Sequence, residues 1–287
     1  MHEHNKGILL MIATTILFAS QDTITKFLGQ TIPIFQFVGI RYLAFFLFAV
    51  WFATRKRSLK EVLKVNNVWL QLLRGAMLGI QIVVFAYVIR ELGVGEMQSI
   101  FMAYPLIVTA LSASVLGEAV GWRRWAAVCI GFVGTLIIIA PGSASFSVYS
   151  LFALGLALMI AIYTLLTRLV SRTDSTDSSL LYTAMIGALV TVPFMPAVWQ
   201  PLTMEQSALV GVLCLTGASS HYFMILALKF TPAVILQPFN YLVLPWAIFL
   251  GYLVFDEVIP LHKWYGIALV IGAGLFIALR QRQIKGL

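Results

Sequence analysis

The stretch "GILLMIATTILFASQDTITKFLG", residues 7–29, reads as one long apolar helix interrupted by Asp22 and Lys26. Two charges at i and i+4 share one face of a helix. In a soluble protein that face would be solvated, but the rest of the chain excludes that reading. Of the 287 residues, 61% are hydrophobic and only 10% charged, and mean hydropathy is +0.95. Soluble domains carry roughly 25% charged residues, and disordered chains are far poorer in apolar ones. An integral membrane protein is the remaining class.

A helical span needs about 20 apolar residues. Ten such runs fit, near 7–28, 34–53, 69–90, 96–116, 124–140, 148–169, 178–198, 207–228, 233–255 and 264–280. The runs are continuous rather than alternating, which argues against a β-barrel. Short connections leave almost nothing outside the bilayer. The start, "MHEHNKGILL", offers one lysine and no small-residue cleavage site, so it reads as a retained first helix. Cys129 and Cys214 both fall inside runs and read as packing residues, implying neither a disulfide nor a metal framework.

The net charge of +8 is distributed unevenly. From a cytoplasmic N-terminus through ten crossings, Arg55, Lys56, Arg57, Lys60, Lys64, Arg123 and Arg124 fall inside. So do Arg168, Arg172, Lys229, Arg280, Arg282 and Lys285. The outer connections hold chiefly Arg90 and Lys263, with the acids Glu91, Glu96, Glu205, Asp256 and Glu257. This positive-inside pattern places both termini in the cytoplasm. The basic balance therefore sets topology and implies no nucleic-acid partner; the expected partners are the lipid bilayer and a small-molecule solute.

The chain divides near Pro141-Gly142, giving units 1–141 and 142–287 with ordered self-similarity. "ASQDTITKF" at 19–27 aligns with "AIYTLLTRL" at 161–169, and Pro105 with Pro245. Glu118 and Trp125 align with Glu257 and Trp264 at the same spacing. Five spans per unit force the second unit upside down, the inverted-repeat construction of many secondary transporters.

The segments "FASQDTITKFL" and "QFVGIRYL", with Pro105 and "GEAVGWRRWAAVCIGFVG", resemble the drug/metabolite transporter superfamily, in its EamA-type branch. "ALKFTPAVILQPFNYLVLPWAIFLGYLVFDEVIPLHKWYGIALVIGAGLFI" continues the likeness, which covers essentially the whole chain. The resemblance implies an all-α protein of ten transmembrane helices in two inverted repeats, N-in and C-in, working by alternating access. It also implies a central cavity lined by helices 1, 3, 4, 6, 8 and 9.

Counted from residue 28, Asp22 lies about 9 Å deep, and Arg41, counted from residue 34, roughly 10 Å. An unpaired charge in the membrane costs about 2.5–3.5 kcal/mol or more. Asp22, Lys26 and Arg41 therefore read as an outer gate or substrate contact, or alternatively as a static ion pair of helices 1 and 2 with Lys26 snorkelling outward. In the second unit Lys26 aligns with Arg168 but Asp22 with Thr164, so the acid is not a requirement repeated by the fold. His221 is the one histidine inside a run; it suits proton coupling or a neutral hydrogen-bonded imidazole. Gln81, Tyr87, Tyr104, Tyr163, Gln237, Asn240 and Tyr241 supply polar tips on apolar walls, as a small amphipathic metabolite requires. Each tyrosine alone is equally readable as packing.

The chain has no HExxH, GxSxG or Walker-type loop, which argues against an enzyme and against direct ATP drive. No cofactor is expected. The leading expectation is a bacterial inner-membrane secondary carrier, monomeric or homodimeric, exporting amino acids or related, aromatic compounds. Uptake of a larger metabolite such as riboflavin or S-adenosylmethionine is the alternative within transport; a membrane receptor or structural protein is the alternative outside it.

Overall fold

A computed structural model of the protein describes residues 2–55, 58–115, 121–231 and 233–284. Every regular element among these is helical. Among the described residues, ten helical segments are long and apolar enough to cross a membrane. They are span 1 (Asn5–Thr31), span 2 (Ile34–Thr54), span 3 (Val68–Leu92), span 4 (Val94–Ala113) and span 5 (Trp122–Ile139). Span 6 (Val148–Val170), span 7 (Thr176–Val198), span 8 (Met204–Met224), span 9 (Pro238–Phe255) and span 10 (Leu261–Arg280) complete the set. Ten crossings return the chain to its starting face. Arg55, Lys60, Lys64, Arg123 and Arg172 lie at the span ends on that side, called the basic face below. Lys56, Arg57, Glu118 and Lys285, and the side chains of Lys229 and Arg282, lie outside the described residues.

Large apolar side chains such as Leu47, Leu215 and Leu253 point outward and are exposed. That is the expected surface when the solvent is lipid rather than water. Exposed Trp69 and Trp122 sit near the basic face, with Trp199, Trp264 and Tyr265 near the opposite one. These are the positions where amphipathic rings settle at headgroup level.

Spans 4 and 9 are broken helices. Span 4 consists of helices Val94–Phe101 and Tyr104–Val115. A short helix, Ala233–Leu236, leads into span 9, which opens on a 3₁₀ turn, Gln237–Leu242, and continues as helix Val243–Phe255 to the opposite face. The continuous apolar run at 233–255 predicts one unbroken helix; Pro238 and Pro245 explain the difference. Pro105 and Pro245 each fall in the first turn of the later segment, where a missing N–H costs no helical bond.

The packing has an internal correspondence. Span 1 packs against spans 8 and 9, and span 6 packs against spans 3 and 4. Span 3 also packs on span 7, as span 8 does on span 2, while spans 5 and 10 pair with each other, as do spans 2 and 7. Advancing every number by five, cyclically, maps these pairs onto one another, although span 1 also packs on span 3 without a comparable contact between spans 6 and 8 among the described residues. Spans 5 and 10 meet backbone to backbone: a Cβ at Gly134 would lie 2.7 Å from the Gly266 carbonyl oxygen, and one at Gly266 2.5 Å from that of Gly134. Small residues permit this close approach, which drives helix association where no hydrophobic effect operates.

At the basic face the connection between spans 6 and 7 is fastened to the start of span 3. Asp174 Oδ1 accepts from the Asn66 backbone N–H at 2.8 Å, and Oδ2 accepts from Gln71 Nε2 at 2.8 Å. Asn66 Nδ2 also donates to the Thr173 carbonyl at 2.8 Å. Partial burial pushes the Asp174 carboxyl up, but donors from Asn66, Gln71 and Thr173 together outweigh it and hold the group below its ordinary 3.8.

Two tests follow from these contacts. Gly134→Leu is expected to lower the melting temperature of the detergent-solubilised protein, at an overpacking cost of about 1–3 kcal/mol. Gly155→Leu, whose added Cβ meets nothing within 4 Å, is expected to leave it unchanged. For Asp174, a depressed folded-state pKa gives stability that is present above 3.8 and lost as pH falls through the folded value. The melting-temperature deficit of Asp174→Asn should therefore be constant near neutral pH and shrink below 3.8. A deficit that does not depend on pH would count against the charge as its source.

Candidate functional site

At the face opposite the basic one, charge closes the structure. Lys26 of span 1 donates from Nζ to Glu257 Oε1, and the same ammonium lies 4.7 Å from the Phe255 ring centroid. Glu257 Oε2 accepts from the Val94 N–H at 2.8 Å, capping the first turn of span 4. Gly93, at φ +96°, makes the turn that aims this N–H, a conformation few other residues adopt. Beside it Lys263, 2% exposed, pairs with Glu96 at 2.6 Å. Lys26 is 7% exposed, so it does not snorkel to the headgroups as one expectation had it. The reason is that an acid from the far end of the chain reaches it first.

The proposed pairing of Asp22 with Arg41 is also corrected. Asp22 Oδ2 accepts from Gln98 Nε2 of span 4, whereas Arg41 Nη2 donates to Gln21 Oε1 at 2.8 Å. Depth matches, as the sequence indicates, but azimuth does not: adjacent residues on a helix point about 100° apart. Gln21 therefore faces spans 2 and 8, and Asp22 faces span 4. Gln21 Nε2 also donates to Ser220 Oγ at 3.1 Å, joining three spans through one buried amide. Asp22 and Arg41 still act on each other electrostatically without a direct ion pair.

Beyond Arg41 lies a cavity of about 380 Å³ walled by spans 2, 3, 6, 7 and 8. Spans 1, 4 and 9 contribute no lining residue, in contrast to the set implied by the resemblance. Its apolar wall includes Phe45, Leu78, Ile82, Ile160 and Met224; its polar groups include Arg41, Tyr42, Arg74, Tyr163, Thr167, Ser179 and Thr183. It extends to Thr176, an exposed residue at the basic face.

Arg74 is the residue the sequence reading missed. It is 2% exposed and donates to the Ser179 carbonyl at 2.6 Å, Thr183 Oγ1 at 2.9 Å and Gln71 Oε1 at 3.0 Å. Its other terminal nitrogen donates to Thr167 Oγ1 at 3.2 Å and the Tyr163 hydroxyl at 3.3 Å. Its Nε has no partner, nor does the buried Tyr42 hydroxyl nearby in the cavity wall. The signal was present: a lone arginine in "VWLQLLRGAMLG" lies about 9 Å inside the membrane by residue count.

Of the other candidates among the described residues, the structure brings only Tyr163 to this cavity with Arg41. Gln81 is buried with its Oε1 unpartnered but does not line the cavity. Tyr87 is exposed beneath the Arg90 guanidinium, on the opposite side of span 3 from Arg74, Leu78 and Ile82. Tyr104 and Tyr241 join the apolar core around spans 4, 9 and 10, so the polar tips do not form one cluster. Asn240 is half-buried in the 3₁₀ turn at the start of span 9. The side chains of His221 and Gln237 lie outside the described residues. Cys214 lines the cavity, and Cys129 is exposed.

Comparison with known proteins agrees with this architecture. The model of the EamA-like transporter family matches residues 5–140 and again 147–279. An S-adenosylmethionine uptake transporter of Rickettsia prowazekii is 24% identical over 281 residues, 96% of this chain and 94% of the relative. A riboflavin transporter of Brucella anthropi is 30% identical over 236 residues, 79% and 81% of the two chains. A riboflavin transporter of Vibrio cholerae is 26% identical over 283 residues, 96% of this chain and 94% of that one. A solved crystal structure superposes with a TM-score of 0.64 at 18% identity, covering 98% of this chain and 99% of that one, a likeness of fold. These relatives are transporters rather than enzymes, and none of their names speaks of amino-acid export. The protein is a multi-pass membrane transporter, and with two matches spanning nearly its whole length the chain belongs to the EamA-like transporter family.

Proposed function

We propose that the protein is a secondary carrier of the bacterial inner membrane that takes up a metabolite of the size class of a nucleoside or flavin. The observation that carries this is the cavity between spans 2 and 3 of the first half and spans 6, 7 and 8 of the second. Its volume lies in the range of small-molecule sites, about 300–1,000 Å³. Uptake replaces the expected amino-acid export because related proteins bear the names of S-adenosylmethionine uptake and riboflavin transporters. The basic face is taken as cytoplasmic, and units 1–141 and 142–287 as inverted repeats, a reading supported by the self-mapping of the span pairs.

In this mechanism the described state is closed at the outer face and reaches inward past Thr176. The outer closure consists of Lys26–Glu257 and Lys263–Glu96, ties that join span 1, the connection after span 9 and the start of span 10 to the start of span 4. Opening outward requires parting them, and the broken helices of spans 4 and 9 are where the backbone can yield. Asp22 and Gln98 join spans 1 and 4 deeper in the same closure. Arg41, Arg74 and Tyr163 are the groups placed to meet the solute.

Counterflow in proteoliposomes tests the function. Preloaded unlabelled riboflavin, S-adenosylmethionine or another member of a broad metabolite panel is expected to accelerate entry of its labelled form. Failure across the panel would sink the carrier reading. Glu257→Gln is expected to slow counterflow by about tenfold, since it weakens a partly buried, charge-assisted tie. Glu91→Gln, which removes the exposed partner of Arg90, is expected to leave the rate within about twofold. Equal effects of the two would remove Glu257 from the gate.

A further inference from the structure

The cavity is cationic and its charge is not answered by any carboxylate in its wall. Arg41 and Arg74 line it, and among the described residues no aspartate or glutamate does. Burying a guanidinium costs several kcal/mol unless its charge is matched. Arg74 is surrounded by neutral acceptors, which orient the fork without neutralising it, and its Nε is left over. The acid related to it, Asp174, is reached only through the Gln71 amide. Arg41 donates one N–H to Gln21 and makes no direct ion pair; Asp22 acts on it electrostatically but is hydrogen-bonded to Gln98 and lies outside the cavity wall. A third group, the Tyr42 hydroxyl, is buried in the same wall with no partner.

By residue count Arg41 lies about 10 Å from the outer face and Arg74 about 9 Å from the inner one. In a hydrocarbon layer about 30 Å thick, both charges are therefore at membrane depth. Phe45, Leu78, Ile82, Ile160 and Met224 provide apolar surface between and around them. Arginine in such a position favours planar oxyanions, which its fork meets in a bidentate manner.

We infer that the cargo is an organic anion, a carboxylate or phosphate on an apolar body, and that Arg41 and Arg74 select it by its charge. This rests on the carrier reading above. It distinguishes between solutes within that reading: an uncharged flavin lacks the group the cavity is built to neutralise.

The test compares ligands that differ only in the anion. Binding to the purified full-length protein is measured by thermal shift and titration for riboflavin 5′-phosphate against riboflavin, and for indole-3-propionate against its amide. The first pair probes phosphate, the second carboxylate. In at least one pair the charged member is expected to bind about tenfold tighter or more. Arg74→Gln and Arg41→Gln are each expected to lower the ratio of charged-member to neutral-member affinity by about tenfold, whatever they do to binding overall; the corresponding lysine variants should retain part of the preference. Equal binding of both members in both pairs, or no binding of either anion, overturns the inference in the wild-type protein without recourse to any variant. Counterflow of a neutral solute without anion preference would defeat this inference and leave the carrier standing. An anion preference without counterflow of any solute would do the reverse.

Discussion

A carboxylate held away from water between the ends of helices has to be matched, and the contacts at one face are organised around the matching of Glu257. One oxygen receives the Lys26 ammonium and the other the first N–H of span 4, so a single side chain joins three parts of the chain distant in sequence. Span 1, span 4 and the end of span 9 are thereby held at one depth. Water could hydrate these groups separately in a soluble protein; lipid cannot, and the cost of leaving either charge alone makes the tie selective for its partner.

The same constraint is treated differently within the cavity. Where Glu257 and Lys26 neutralise each other, Arg41 and Arg74 are held by amides, hydroxyls and a backbone carbonyl. Neutral acceptors fix orientation at little electrostatic gain, leaving field directed into the space between the halves. The two regions thus differ in whether a charged side chain meets its opposite directly, as Lys26 meets Glu257, or is held by neutral acceptors, as Arg74 is.

Much of this was legible in the sequence. Ten apolar runs, the asymmetric placement of lysine and arginine, and the recurrence of Pro105 as Pro245 lead to the architecture, because bilayer thickness and backbone bonding leave few alternatives. Helix azimuth was not legible. Asp22 and Arg41 match in depth, yet Gln21 is the residue that turns toward Arg41. Tyr87 lies on the same span as the cavity-lining Arg74 and faces the other way. Polarity identifies residues worth attention, but which neighbour each meets depends on how the helices are rotated, and that is set by packing between distant spans. Arg74 shows the converse: its intramembrane position was readable, whereas its set of five neutral acceptors, drawn from spans 3, 6 and 7, was not.

The glycine contact between spans 5 and 10 has a consequence for how the protein varies over time. Each of Gly134 and Gly266 faces the other's carbonyl, so neither position can gain a side chain while the helices keep their separation. A lineage that fills one position must move the helix carrying the other, and the neighbouring residues must then adapt together. The two sites therefore form a single unit of inheritance, constrained by each other rather than by cargo, because neither lies in the cavity wall.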